Sequence, residues 1–288
     1  MGGGSWTTQA FCSYSQAKGR TTITNSLGQV SLDTAYSVQD LYKARSLDPT
    51  LSPYKVMREC RDSDEHPNTV PVIFGIDVTG SMGTATAKVA KEINVIMTQT
   101  LETTTDDVEF MVMGIGDLYC DNAPVQISQF ESDIRIAEHL DKVWFEAGGG
   151  GNGYESYTAA WYMGSRHCDC DCWKRGKKGI IITIGDEPLN PYLNKYDINK
   201  HIGDNVEGDV ETEALLKETL EKFDVYHLAI NDKDSSYSWH AKGIKATWGK
   251  YFDEEHFKVV TLDNLAAVVN NIIKNHCSNN ISSEGISW

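Results

Sequence analysis

Unbroken apolar runs alternate along this chain with longer stretches in which apolar residues recur every three or four positions. Residues 70–77, 108–116 and 179–185 are runs of the first kind, and each predicts a strand buried on both faces. Residues 125–130 alternate instead and predict an edge strand, while 225–230 and 257–261 predict two further strands. Between them, 84–103 has helix-forming composition, with Val89, Ile93, Ile96 and Met97 on one face. Residues 133–143, 155–166, 211–223 and 263–276 also read as helices. Strands alternating with helices predict an α/β fold, a doubly wound and mostly parallel sheet with helices on both faces. In such sheets ligands bind where the loops converge, outside the carboxyl ends of the strands.

The preceding segment has a different texture. Residues 1–34 are rich in Gly, Ser and Thr, a short helical pattern covers 37–45, and Pro49, Pro53, Pro67 and Pro71 then punctuate the chain. The expected organisation is a largely irregular N-terminal extension over 1–69, a domain over 70–277 and a C-terminal tail over 278–288.

Composition narrows the function. Of the 288 residues, 40% are hydrophobic and 23% charged, which suits a globular chain with a real core. The net charge of −15 disfavours nucleic acid and anionic membranes as partners, and favours a cation or a basic protein patch. No basic region followed by an apolar run opens the sequence, and no apolar stretch is long enough to cross a bilayer. Seven cysteines, an odd number without an export signal, fit reduced thiols. The expectation is a cytoplasmic protein.

The first apolar run leads into Asp77-Val78-Thr79-Gly80-Ser81-Met82. One carboxylate and two hydroxyls stand at alternate positions on a loop that contains a glycine. Hard oxygen donors of this kind suit Mg²⁺, although the same residues also serve as a helix cap. The third run ends at Asp186-Glu187-Pro188, which brings a second carboxylate to the same sheet edge and calls for a counter-charge.

Asp77-Val-Thr-Gly-Ser-Met resembles the DxSxS metal-ion-dependent adhesion motif of von Willebrand factor A domains, in its DxTGSM form. By strand and helix order the resemblance spans residues 70–277. It implies one Mg²⁺ or Mn²⁺ held by Asp77, Thr79 and Ser81, with Asp186 matching the family's late aspartate. The second loop departs from the usual Thr after paired glycines. Gly148 to Glu155 is more similar to a bacterial subgroup with GGGDxPE, so Asn152 takes the ligand position and Glu155 stands behind it. The implied function is a non-enzymatic binding module that engages an acidic residue of a partner protein. The implied setting is bacterial or phage, beside a MoxR-type AAA+ ATPase. The alternative is a metal-dependent phosphoester hydrolase, with Glu155 or Glu187 as its base.

Other patterns carry less. Gly148, Gly150 and Gly153 fit G-x-G-x-x-G, but a dinucleotide fingerprint closes the first strand of a βαβ unit, and this run lies mid-domain. His167-Cys168-Asp169-Cys170-Asp171-Cys172 lacks the usual C-x2-C spacing. It reads either as a Zn²⁺ or soft-ion site, with His167 or a distant Cys as fourth ligand, or as a surface loop with incidental thiols. Asp232 and Asp234, near Trp239, read as a solvated polar loop. No H-E-x-x-H, G-x-S-x-G or Ser-His-Asp set is evident, so no catalytic residues are assigned.

Overall fold

The computed structural model describes residues 5–33, 36–41, 43–103, 107–148, 152–233 and 235–282. Its N-terminal part contains α1 (Thr8–Ala17), the hairpin strands β1 (Thr22–Thr24) and β2 (Val30–Leu32), the short α2 (Val38–Leu41) and β3 (Arg58–Cys60). There follow β4 (Thr69–Asp77), α3 (Ala85–Lys91), α4 (Ile93–Thr103), β5 (Asp107–Ile115), β6 (Val125–Ile127) and α5 (Arg135–Lys142). Next come α6 (Thr158–Arg166), β7 (Cys168–Cys170), β8 (Gly179–Gly185), β9 (Tyr192–Leu193), α7 (Lys195–His201), β10 (Val210–Glu211) and α8 (Thr212–Thr219). The chain ends with β11 (Phe223–Ile230), α9 (Tyr237–Trp248), β12 (Phe257–Val260) and α10 (Leu262–Ser282).

Six strands form the main sheet in the order β12-β11-β8-β4-β5-β6. All neighbours run parallel except β5 and the edge strand β6. The doubly wound sheet anticipated from the apolar runs is therefore present. Its strand order reverses between β4 and β8, which is the switch point where such folds bind ligands.

The pleat explains why the strands read as unbroken apolar runs. Val72, Phe74 and Ile76 of β4 face one core with Ile180, Ile182 and Ile184 of β8. Ile73 and Ile181 point to the other core, with Met111, Met113 and Ile115 of β5. Both faces are covered, so a strand here has no polar side to alternate with. No helix of the described residues is long and apolar enough to cross a membrane.

Several elements differ from the sequence-based expectations. The helix over 84–103 is divided into α3 and α4 at Glu92. The pattern over 37–45 yields only the four residues of α2, and α10 runs six residues past His276, to Ser282. Residues 283–288 of the expected tail lie outside the described residues, as does Asp234. Trp239, near the expected polar loop, lies in the first turn of α9, while Asp232 lies between β11 and α9 and pairs with Lys88 at 3.4 Å.

The N-terminal part is more regular than its composition implies, and it is packed into the domain. Trp6, Phe11, Leu32, Leu41 and Leu51 are buried in the same core as α3, α4 and α10. The indole of Trp6 donates to Asn94 Oδ1 at 3.1 Å, and its backbone N–H donates to Ser132 O at 2.9 Å. Gly- and Ser-rich composition hides these few apolar anchors. Trp6→Ala is expected to destabilise the fold by about 3–5 kcal/mol, because it empties a fully packed site. Urea denaturation measures this, and a midpoint unchanged from wild type would show that the segment is only an appendage.

Candidate metal centre

At the carboxyl end of β4 the chain leaves the sheet through Asp77 and turns at once through a 3-10 turn, Gly80–Met82. Gly80 is required there by close approach. Its N–H donates to Gly148 O at 2.8 Å, and a Cβ would stand 3.0 Å from Ala147 O. The turn aims three side chains at one place. Thr79 Oγ1 donates to Asp77 Oδ1 at 2.5 Å and lies 3.0 Å from Ser81 Oγ. Ser81 Oγ donates in turn to Asp186 Oδ1 at 2.8 Å. A continuous chain of four oxygens thus joins the ends of β4 and β8 across the switch point.

Both carboxylates are fully buried. Burial, and then the charge of Asp186, pushes the Asp77 carboxyl up to about 7 against its hydrogen bonds to Thr79 and Tyr157. Burial likewise raises Asp186, opposed by Ser81 and the Ser236 backbone. Tyr157 donates its hydroxyl to Asp77 Oδ2 at 2.5 Å, and Ser236 N donates to Asp186 Oδ2 at 2.5 Å. The hydrogen-bond partners of the two carboxylates are thus all neutral donors. Two buried carboxylates with hydroxyls between them form a hard-oxygen donor set, and that set fits a small divalent cation.

Asn152 is not drawn into this chain. Its amide Nδ2 donates to Asp117 Oδ2 at 2.7 Å, while its Oδ1 is buried without a hydrogen-bond partner. Gly149, Gly150 and Gly151, central to the glycine run, lie outside the described residues. Glu155 is buried nearby, and its Oε2 also lacks a hydrogen-bond partner. Burial first, then the charges of Asp77, Asp117, Asp121 and Glu187, push its carboxyl up to about 10. Glu187 pairs with His240 Nδ1 of α9.

Sequence reading missed Tyr157, Ser236, His240, Asp117 and Asp121. Asp117 carried a usable signal, because it follows a buried strand at the same sheet edge. Ser236 and His240 carried none. Ser236, at the start of their helix, is 50 residues from Asp186 and reaches it only through the fold.

The cysteine patch resolves into structure, not into a loop. Cys168 and Cys170 form β7, which pairs in parallel with β3 and sets Cys170 opposite Cys60. Cys168, Cys170 and Cys172 are buried in the second core. His167 has both ring nitrogens engaged, Nδ1 with Val56 O at 2.8 Å and Nε2 with Asp204 at 2.7 Å. Among the described residues, no group of three or more His, Cys, Asp or Glu side chains is placed to hold a metal ion. His167 is thus engaged away from the thiols, while pairing with β3 buries Cys168, Cys170 and Cys172 and brings Cys60 beside them. The basic cluster that follows sits at the opposite end of the sheet from Asp77, with Arg175 donating to Thr69 O at 2.8 Å.

Gly185, the last residue of β8, lets Tyr157 reach Asp77. A Cβ there would fall 2.0 Å from the Tyr157 hydroxyl oxygen. Gly185→Ala is expected to displace that ring, break its bond to Asp77 and cost about 1–3 kcal/mol of stability. Thermal unfolding of the variant tests this, and a wild-type melting temperature would show that the contact is soft.

No family model and no curated protein matches this sequence. Among solved structures, the pilus adhesin SpaC from Lactobacillus rhamnosus GG, in its open conformation, is 13% identical with a TM-score of 0.50. That match covers 77% of this chain and 31% of the adhesin. Another crystal structure of SpaC matches at 12% identity and a TM-score of 0.50, over 90% of this chain and 42% of the adhesin. This chain thus spans less than half the length of the adhesin. The vWF domain of the type V pili tip protein Mfa5 from Porphyromonas gingivalis is 14% identical with a TM-score of 0.41, over 75% of this chain and 96% of that one. At these identities the likeness is one of fold. It lies in a doubly wound, mostly parallel α/β sheet with one antiparallel edge strand.

Proposed function

We propose that this chain is a non-enzymatic binding module that holds one Mg²⁺ or Mn²⁺ between Asp77, Thr79, Ser81 and Asp186 and engages an acidic residue of a partner protein there. The observation that carries this reading is the chain of four oxygens joining two buried carboxylates. When bound, the cation supplies the missing counter-charge and an open position for the partner's carboxylate.

The protein's own groups set the charge balance. Asp77 and Asp186 contribute two negative charges, which just offset a divalent ion, and the hydroxyls of Thr79 and Ser81 add none. Tyr157 and Ser236 hold the outer carboxylate oxygens, so the inner ones stay aimed at the common point. Glu187 is tied to His240 and Glu155 is buried, so neither stands ready as a base. That favours binding over phosphoester hydrolysis. A cytoplasmic setting, drawn from the cysteine usage, and a place beside a MoxR-type AAA+ ATPase in a bacterium or phage, drawn from the motif resemblance, are part of the same proposal.

Calorimetry on chelator-treated protein should show one Mg²⁺ or Mn²⁺ bound per chain, and Asp77→Ala should abolish the heat. Equal binding by that variant would place the ion elsewhere. A pull-down should lose its partner both with EDTA and with Asp186→Ala, while circular dichroism shows the fold retained. Capture that survives chelation would remove the metal from recognition. Turnover of p-nitrophenyl phosphate that vanishes in Asp77→Ala would replace the module with a hydrolase.

A further inference from the structure

Beside the four oxygens, on the same sheet edge, lies a cavity of about 370 Å³. Its walls include Tyr119, Tyr154, Tyr192 and Tyr196, with the carboxylates of Asp117 and Asp197. Among the described residues, no lysine, arginine or histidine lines it, although Lys195 lies over the ring of Tyr196 on its flank. Volumes of this order suit a small ligand or a single inserted side chain.

Two features show that the cavity is not ordinary surface. Tyrosines are usually at least half covered, yet Tyr119 is 74% exposed and Tyr196 70% exposed. Tyr192 is exposed as well, and Tyr154 hydrogen-bonds to it. The charged and amide groups present, moreover, offer acceptors. Asn152, on the wall, keeps a buried Oδ1 with no hydrogen-bond partner. Asp197 is raised by partial burial, opposed by the charge of Lys200 and reinforced by that of Asp117. An entering cation would relieve this repulsion, whereas an anion would add to it.

We infer that this cavity takes a lysine or arginine side chain of a partner polypeptide. The tyrosine faces would hold the cation by its attraction to their π-electrons, and the Asp197 carboxylate would accept its N–H groups. The chain already shows one such contact here, with the Lys195 ammonium 5.1 Å from the Tyr196 ring centroid. The net charge of −15 favours a basic partner over an acidic surface. A sugar would also stack on tyrosine, but it brings no charge to match the two carboxylates. The inference stands independently of the metal reading, since none of its contacts passes through the ion.

The test is NMR on the full chain carrying ¹³C-labelled tyrosine rings, in EDTA throughout so that failure of the metal reading cannot affect it. The probes are N-acetyl-lysine methylamide, N-acetyl-arginine methylamide, the neutral N-acetyl-norleucine methylamide and methyl β-galactoside. The two cationic probes should shift the ring signals of Tyr119, Tyr192 and Tyr196, and the two neutral ones should not. Asp197→Asn and Tyr196→Ala, both at accessible positions, should each weaken cationic binding by about threefold to tenfold. Equal shifts from the norleucine probe, binding of the galactoside, no response to either cation, or wild-type affinity in Asp197→Asn would each overturn the inference.

Discussion

Two carboxylates buried at neighbouring strand ends set the terms for everything at this edge of the molecule. Asp77 and Asp186 stand where β4 and β8 leave the sheet on either side of its switch point. Charge buried without compensation is among the costliest features a fold can carry. The loop residues around the pair answer that cost with hydroxyls and backbone N–H groups. These relieve the desolvation only partly, as the raised Asp77 and Asp186 carboxyls indicate. The same imbalance is what makes the place suitable for a cation.

An aromatic stack beneath the pair keeps its geometry. Tyr157 of the loop before α6 touches His227 of β11 with ring centroids 4.9 Å apart. His227 lies flat on Trp248 of α9 at 3.7 Å. Burial drives the His227 pKa far down, so this imidazole is neutral and packs as an aromatic ring, with Nδ1 2.9 Å from Thr183 Oγ1. Trp248 donates its indole N–H to Glu187 O at 3.3 Å. Three helix or strand neighbours are thereby fixed against the loop that carries Asp186. Ser236, one residue before α9, then bonds both Asp186 and the backbone of Ser81. Rigid elements of this kind aim a binding site more closely than loops alone do.

The tyrosine-walled cavity belongs to the same edge but uses different physics. Its walls come from the loop after β5, the loop before α6 and the segment after β8. Aromatic side chains have few rotamers, so they give large contact area at small entropic cost. A metal-held carboxylate and an aromatic-held cation side by side would read a partner by charge pattern and not by shape alone.

The sheet was legible in the sequence because each central strand is buried on both faces. Residues 70–77, 108–116 and 179–185 had to be apolar throughout, and each run ended in polar residues at the carboxyl edge. Asp77, Thr79 and Ser81 were legible too, since two-residue spacing around a glycine is a local property. Asp186 followed from topology alone. The helix α9 was not legible, because its N-terminus is anchored on Asp186 and Ser81, far away in sequence. The burial of the thiols at 168–172 was hidden for the same reason: it depends on β3, more than a hundred residues earlier. The N-terminal part, Gly- and Ser-rich, hid Trp6 and Phe11, which acquire a role only when the helices of the domain, α4 among them, supply the core they join. Periodicity and spacing record what a residue does within its own segment. The donors to Asp186, the ring behind Asp77 and the tyrosine walls are contacts between segments, and only the folded chain decides them.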